Sequence, residues 1–233
     1  MEQHVCITGA NRGIGAGFAR AYLQAGAKVY GGVRSTDKVE VKELEERFPR
    51  QFIPFQIDVA DTGSVRKAFE GLRSSAERID ILINNAGIAK EPNEKQLADV
   101  SEEDILEVFN VNTLGPLRCV QAAAPLLRAS RAPKVVFISS SAASISGQGG
   151  GRGVPYCVSK GALNMLAKLL YFHLKDEGIA SAAIHPGWVQ TDMGGAEASL
   201  TVDQSVAAML KVIEQLDFDT PNYIDYRGEV MQY

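Results

Sequence analysis

Tyr156 and Lys160 are a tyrosine and a lysine four residues apart, a spacing that places both side chains on one face of a helix. A free tyrosine, with a pKa of about 10, is a poor acid or base at neutral pH. A lysine ammonium one turn away favours the phenolate, so Lys160 is expected to lower the pKa of Tyr156 and suit it to proton transfer. Because this spacing also occurs on many amphipathic helices without any chemistry, other residues must support an active site.

A glycine-rich turn near the start of the chain is the first such support. Gly9, Gly13 and Gly15 follow a short apolar segment, residues 5–8, and precede a segment with helical periodicity. This order predicts a strand, a turn and a helix whose N-terminal N–H groups can bind a phosphate. The spacing Gly-x-x-x-Gly-x-Gly differs from the commoner Gly-x-Gly-x-x-Gly, and a turn without a ligand is the alternative.

The residues after the second predicted strand, 28–33, bear on cofactor choice. NAD-binding domains place an acidic residue about 20 positions past the glycine turn to bind the ribose 2′-hydroxyl. Here Arg34 and Ser35 follow the strand, and Arg12 lies in the glycine turn. Two arginines and a missing carboxylate favour NADP(H), whose 2′-phosphate they could bind; the alternative is that both arginines are solvated.

Further apolar segments predict the rest of a parallel sheet covered on both faces. They span residues 52–57, 80–83, 134–138, 182–185 and 223–225. Asn84 to Gly87 and three serines, Ser139, Ser140 and Ser141, follow two of these segments, and an unliganded turn is again the alternative for the asparagines. The alternation of strands and helices predicts an α/β fold with a single Rossmann-like, doubly wound parallel sheet of about seven strands, helices on both faces, and one domain over residues 1–233.

One of the predicted helices contains a further polar residue, Asn112. Ser101-x-x-Asp104 resembles a capping box that opens a helix through residue 111, and Thr201-x-x-Gln204 predicts the cap of the last long helix. Asn112 continues the first of these helices. A buried amide costs free energy unless it is hydrogen-bonded, so Asn112 needs a structural partner or a functional role.

Composition excludes several classes of function. The 233 residues carry a net charge of −4, which argues against a general binder of nucleic acid or anionic membranes. No apolar run approaches the ~20 residues of a membrane helix.

Cys6, Cys119 and Cys157 show no metal-ligand spacing, and reduced thiols together with the absence of a signal peptide predict a cytoplasmic protein. Cys157, beside Tyr156, could be sensitive to oxidation.

The histidines give no sign of a metal site. His4, His173 and His185 have no metal-ligand spacing, and we expect packing or surface positions for all three. Trp188 and Met193 are expected to form apolar walls of an open substrate site.

With these pieces placed, the sequence resembles the short-chain dehydrogenase/reductase family over its whole length. The motifs that carry the resemblance occur in the family's order: Thr8-Gly9-x-x-x-Gly13-Ile14-Gly15, Asp58-Val59, Asn84-Asn85-Ala86-Gly87, Asn112, Ile138-Ser139-Ser140, Tyr156-x-x-x-Lys160 and Pro186-Gly187. Residues 188–193 and 223–226 resemble the C-factor and sniffer-type carbonyl reductases.

The resemblance implies roles for the catalytic residues. Tyr156 would give a proton to the substrate oxygen, Lys160 would lower the tyrosine pKa and hold the nicotinamide ribose, and Ser140 would orient that oxygen. Asn112 would anchor the proton relay toward Lys160 through a water. Ser140 lies 16 residues before Tyr156, a longer interval than is usual, so Ser141 is the alternative.

The resemblance also implies that NADP(H) lies across the carboxyl edge of the sheet. The residues expected to bind it are Gly9, Asn11, Arg12, Gly13, Ile14, Gly15, Arg34, Ser35, Asp58, Val59, Asn85, Ala86, Gly87, Tyr156, Lys160, Pro186, Gly187, Val189 and Thr191.

Together these features predict an oxidoreductase that transfers a hydride from NADPH to a small or hydrophobic aldehyde, ketone or quinone. The alternative is an NADP(H)-binding sensor or signalling protein with incidental turnover. The helix that carries Tyr156 is apolar over more of its surface than one face of the sheet would cover, which predicts a homodimer or homotetramer. We expect no metal, no nucleic-acid partner and no membrane association.

Overall fold

The strands of the chain form one parallel sheet. A computed structural model describes residues 2–90 and 96–233. In chain order the strands are β1 (His4–Thr8), β2 (Lys28–Val33), β3 (Phe52–Gln56), β4 (Ile81–Asn84), β5 (Lys134–Ile138), β6 (Ala180–His185) and β7 (Tyr223–Asp225). Among the described residues they make a seven-stranded sheet in the order β3-β2-β1-β4-β5-β6-β7. The strand order reverses between β1 and β4, which opens a crevice at the carboxyl ends of the strands.

Helices cover both faces of this sheet, as a doubly wound fold requires. They are α1 (Gly13–Gln24), α2 (Val39–Arg47), α3 (Thr62–Arg73), α4 (Glu102–Phe109), α5 (Gly115–Arg128), α6 (Val154–Asp176) and α7 (Val202–Gln215). A π-helix, Asn110–Leu114, joins α4 to α5, and a 3₁₀ turn, Ser141–Ala143, follows β5. The predicted fold class is confirmed.

Two apolar cores lie on opposite faces of the sheet. On one face, Phe18 of α1 and Val206 of α7 pack with the strands. On the other face, Phe69 of α3, Cys119 of α5 and Leu163 of α6 do the same. Burial on both faces explains why the strands read as nearly continuous apolar segments in the sequence.

The predicted helix starts are present, one of them in altered form. Ser101 Oγ accepts a hydrogen bond from the Asp104 N–H at 3.1 Å, but the Asp104 carboxylate lies 3.4 Å from Lys90 Nζ. The capping box expected there is therefore half formed, because an ion pair holds the aspartate. Thr201 and Gln204 exchange both bonds of a capping box, at 2.9 and 3.2 Å.

The prediction of a continuous helix through residue 111 is wrong in one respect. The backbone leaves the α-helical pattern at Asn110 and returns to it at Gly115. Such π-turns often occur at functional sites, and hydrophobic periodicity gives no signal for them.

Within residues 2–90 and 96–233, no helix is long and apolar enough to cross a membrane. The same residues contain no cluster of three or more His, Cys, Asp and Glu side chains that could hold a metal ion.

Candidate active site

Hydrogen bonds tie the glycine-rich turn to the end of β4. Thr8 Oγ1 accepts from the N–H groups of Asn85 and Ala86, both at 3.1 Å. Asn85 Nδ2 donates to the carbonyls of Thr8 and Gly9 at 3.0 and 3.2 Å. A Cβ on Gly15 would collide with the Gly9 carbonyl oxygen, so Gly15 permits close packing behind the turn.

A cleft of about 840 Å³ opens along the carboxyl edge of the sheet, within the size range of ligand pockets. Most of the expected cofactor residues line it: Gly9, Asn11, Arg12, Gly13, Ile14, Arg34, Ser35, Asp58, Val59, Asn85, Ala86, Gly87, Tyr156, Lys160, Pro186, Gly187, Val189 and Thr191. Gly15 is the exception, since it lies behind the turn rather than in the cleft.

The N-terminus of α1 faces this cleft and suits an anion. Arg12 precedes the helix without making a side-chain cap, and the first turn of α1 contains no acidic residue. The N–H groups of that turn are thus available to a pyrophosphate. Arg34 and Lys38 also line the cleft, and Arg12 forms an ion pair with Asp192. These residues fit a phosphorylated dinucleotide, and Lys38, four residues beyond Arg34, was not among the residues expected here.

Among the three serines after β5, Ser140 contacts the tyrosine. Its side chain interacts with Tyr156, and both residues line the cleft. Ser139 is buried and donates to Asn164 Oδ1 at 2.6 Å, and Ser141 is exposed. The geometry therefore brings together the serine, tyrosine and lysine that the sequence singles out.

The pKa of Tyr156 does not follow the sequence expectation. Burial raises it, and the hydrogen bond with Ser140 offsets part of that rise. Lys160 Nζ lies 5.7 Å from the Tyr156 ring centroid and donates to the Ile138 carbonyl at 2.7 Å. Burial lowers the pKa of Lys160 to about 8. The expected lowering of the tyrosine pKa is thus absent in this structure, because burial penalises the charged form of both groups.

Asn112 has structural partners for its buried amide. Its Oδ1 accepts from the Ile88 N–H at 2.9 Å, and its Nδ2 donates to the Ile88 carbonyl at 2.8 Å and to Ser159 Oγ at 3.0 Å. Ser159 Oγ in turn donates to the Tyr156 carbonyl at 2.7 Å. Asn112 therefore joins the segment after β4 to the turn of α6 that carries Tyr156. It does not line the cleft, and its part in a relay through water stays a prediction.

A second polar network positions the loop after β3. Arg118 donates to the Val59 carbonyl at 3.1 Å and to Asn110 Oδ1 at 2.7 Å. Asn110 Nδ2 donates to the Ala60 carbonyl at 3.1 Å. The π-helix thus holds the loop with Asp58 and Val59, a role that sequence spacing alone does not reveal.

The expectation of a packing or surface position for His185 is wrong, because His185 lines the cleft. Its Nδ1 accepts from the Ser141 N–H at 3.1 Å, and burial lowers its pKa. The available signal was its place directly before Pro186, at the carboxyl end of a strand. His4 is buried elsewhere, and His173 is exposed.

Apolar side chains lie at the mouth of the cleft. Trp188 and Met193 line it and are about half exposed, and Trp188 Nε1 donates to the Gly194 carbonyl at 2.8 Å. Cys157 is partly exposed beside Tyr156; its sensitivity to oxidation stays a prediction.

Comparison with known proteins agrees with this geometry. The family model for short chain dehydrogenase matches residues 3–200. C-signal from Myxococcus xanthus is 39% identical over 151 residues, which are 64% of this chain and 90% of that protein. An NADPH-bound carbonyl reductase from chicken fatty liver has a TM-score of 0.91 at 32% identity, covering 100% of this chain and 99% of that chain. The carbonyl reductase Sniffer of D. melanogaster has a TM-score of 0.92 at 26% identity, with 100% of both chains covered.

The sheet that this chain shares with these reductases, and the cleft lined by a serine, a tyrosine and a lysine at its carboxyl edge, agree with the family-model match. The chain belongs to the short-chain dehydrogenase/reductase family and is a member of its C-factor and sniffer type.

Proposed function

We propose that this oxidoreductase is an NADPH-dependent carbonyl reductase that converts aldehydes and ketones to the corresponding alcohols, or quinones to hydroquinones. The observation that carries the proposal is that Ser140, Tyr156 and Lys160 line one cleft, with the Ser140 side chain interacting with Tyr156. Two hydroxyl donors at one point can bind a single substrate oxygen as it gains negative charge.

The side chains divide the chemistry between them. A nicotinamide cofactor, when bound, supplies the hydride to the carbonyl carbon. Tyr156 donates its proton to the carbonyl oxygen, and Ser140 orients that oxygen. Lys160 is largely protonated at neutral pH, since its pKa is about 8, and it stabilises the phenolate that remains. The proton of Tyr156 is then restored from solvent.

Cationic side chains support NADPH rather than NADH as the cofactor. Arg12, Arg34 and Lys38 line the cleft, and Arg34 and Ser35 occupy the positions directly after β2. A guanidinium binds a phosphate by charge-assisted hydrogen bonds and cannot replace a carboxylate that binds ribose hydroxyls. Separate titrations with NADPH and NADH test this point; we expect tighter binding of NADPH, and equal affinities would contradict it.

Apolar walls and an open mouth support a broad range of hydrophobic carbonyl substrates. Trp188 is 55% exposed and Met193 is 49% exposed, so the site presents apolar surface without enclosing it. The test is NADPH oxidation with a panel of aldehydes, ketones and quinones. Turnover of several members is expected. Tight NADPH binding without any turnover would favour a sensor or signalling protein, the alternative that the similarity to C-signal supports.

An apolar stripe on α6 supports assembly into a homodimer or homotetramer. Val158, Met165, Leu169 and Phe172 are each about half exposed and share one side of the helix. Burial of this stripe against a second copy would remove it from water. Sedimentation velocity should give a dimer or tetramer, and a monomer would refute the assembly.

We also propose that residues 1–233 form one catalytic domain and that the protein works in the cytoplasm. Residues 1 and 91–95 of this range lie outside the described residues. Buried thiols at Cys6 and Cys119 support a reducing compartment. Limited proteolysis should leave one resistant species, and a fluorescent fusion should distribute through the cytoplasm; two resistant fragments, or export of the fusion, would contradict these expectations.

A further inference from the structure

We propose that His185 and Tyr223 are positioning residues: they bind the two sides of the peptide group that joins Ser140 to Ser141 and so aim the Ser140 hydroxyl at Tyr156. This inference rests on the proposed reductase function, because its consequence is measured as turnover. We call the group formed by the Ser140 carbonyl and the Ser141 N–H the clamped peptide.

The geometry of the clamped peptide carries the proposal. Tyr223 Oη donates to the Ser140 carbonyl oxygen at 2.7 Å. On the other side, the Ser141 N–H donates to His185 Nδ1 at 3.1 Å. Because a carbonyl and the following N–H lie in one rigid plane, these two bonds oppose rotation of that plane.

Both side chains come from rigid parts of the fold. His185 is the last residue of β6, and Tyr223 is the first residue of β7, the neighbouring strand. Tyr223 is 1% exposed, so its ring is fixed by packing. Side chains on strands hold a functional group more accurately than side chains on loops do.

The clamped peptide lies where the chain bends sharply. Ser140 is extended, with φ −161° and ψ 153°, and the 3₁₀ turn Ser141–Ala143 follows at once. The Ser140 hydroxyl accepts from the Ala142 N–H at 3.1 Å and also contacts Tyr156. Rotation of the peptide would move this bend and with it the hydroxyl. Misplacement by about 1 Å can cost on the order of 100-fold in rate, so a loosened bend should be visible in turnover.

The chain offers matched variants for a test. A neutral histidine that accepts at Nδ1 carries its proton on Nε2, so His185→Asn keeps an acceptor near the Nδ1 position and His185→Leu removes it. Tyr223→Phe removes only the hydroxyl. Tyr30→Phe is its control, because Tyr30 is equally buried, hydrogen-bonds with His4 Nδ1 at 3.1 Å and does not line the cleft.

The experiment measures kcat, the dissociation constant for NADPH, and hydrogen exchange of the Ser141 amide by NMR. We expect His185→Leu and Tyr223→Phe to lower kcat about tenfold or more without changing NADPH affinity. His185→Asn should recover most of the loss, and Tyr30→Phe should keep the parent rate. The Ser141 amide should exchange slowly in the parent and in His185→Asn, and faster in His185→Leu.

Three results would overturn the proposal. One is an unchanged kcat in both His185→Leu and Tyr223→Phe, and another is a loss in Tyr30→Phe as large as that in Tyr223→Phe. The third is Ser141 exchange that is equally fast in the parent and in His185→Leu. If the parent reduces no carbonyl, the proposed function fails, and the exchange of Ser141 alone then decides whether the peptide is clamped.

Discussion

The sheet has an amino edge, where its strands begin, and a carboxyl edge, where they end. Each edge carries a histidine and a buried tyrosine, but the two pairs have different partners. At the amino edge, His4 Nδ1 and Tyr30 Oη hydrogen-bond to each other at 3.1 Å. At the carboxyl edge, His185 and Tyr223 instead bind the backbone beside Ser140. At the amino edge the two side chains satisfy each other, whereas at the carboxyl edge, on the proposal above, they hold the backbone beside the cleft.

Two further polar groups, one at each edge, differ in whether their side chains have hydrogen-bond partners. Asp80 at the amino edge accepts from the His4 N–H at 2.8 Å, from Arg78 Nε at 3.0 Å and from Ser130 Oγ at 2.6 Å. Burial opposes its ionisation, but these bonds outweigh it, and the pKa of Asp80 lies below its usual value. Asn84, at the end of β4, has no side-chain hydrogen-bond partner among the described residues. Asn84 precedes Asn85, which lines the cleft, so one buried amide beside the cleft is left unsatisfied.

The largest expected effect is the difference in turnover between the same substitution at Tyr156, on the carboxyl edge, and at Tyr30, on the amino edge. Tyr156→Phe should lower NADPH oxidation by about 10²- to 10⁴-fold, because it removes the proton donor while leaving cofactor binding intact. Tyr30→Phe should keep the parent rate. Steady-state kinetics with a reducible carbonyl and an NADPH titration measure both; undiminished turnover in Tyr156→Phe would contradict the mechanism.

The second comparison is of NADPH affinity after substitution of Arg34, at the carboxyl edge, and of Arg78, at the amino edge. Arg34→Ala should weaken NADPH binding by about 10- to 100-fold, the size of one charge-assisted hydrogen bond, and leave NADH binding unchanged. Arg78→Ala should leave NADPH affinity alone, since Arg78 binds Asp80 and the Glu2 carbonyl. Isothermal titration of both variants is the measurement, and equal losses for the two cofactors would argue against 2′-phosphate recognition.

Stability provides the third comparison. Asp80→Asn should lower the free energy of unfolding by about 1–2 kcal/mol, because the carboxylate loses its charge-assisted bonds. Asp58→Asn should cost much less, since Asp58 is exposed at the opposite edge. Urea denaturation quantifies both. The roles of the two edges would need revision if Asp58→Asn proved the more destabilising change.

The smallest effect concerns pH. Burial and the charge of Arg78 lower the pKa of His4, and Lys28 acts in the same direction, while Asp80 and Glu2 oppose them. The unfolded chain therefore binds a proton near pH 6.5 more readily than the folded protein does. The stability that neutral His4 contributes to the folded protein is fully present above about pH 6.5. This stability is lost as the pH falls toward the lower pKa of the folded state, by at most about 1.4 kcal/mol per pH unit.

His4→Gln should make the stability of the protein depend less on pH. Thermal unfolding of the parent and of His4→Gln between about pH 7 and about pH 5 tests the sign, because histidine is the side chain that titrates in that range. A parent that gains stability as the pH falls would show that the histidine is charged in the folded protein.

Sequence reasoning succeeded where one local rule decides the structure. The apolar segments at residues 28–33, 134–138 and 223–225 coincide with β2, β5 and β7, because strands buried on both faces tolerate few polar residues. Tyr156 and Lys160 share one helix, so their proximity follows from helical geometry alone.

Sequence reasoning failed where distant parts of the chain meet. The bond between His185 and Ser141 and the ion pair between Arg12 and Asp192 join residues far apart in sequence, and no spacing rule links them. The direction of the Tyr156 pKa depends on burial, which a four-residue spacing does not report.

The π-helix, Asn110–Leu114, determines how the structure would respond to the deletion of one residue. A π-turn holds one residue more than the α-helical path between the same two points requires. Deletion of Val111 would give an unbroken α-helix with a more regular ladder of backbone bonds, but each residue adds about 100° of rotation. The deletion would therefore turn Asn112 away from Ile88. Local helix stability favours the shorter chain, whereas the two hydrogen bonds between Asn112 and Ile88 depend on the longer one.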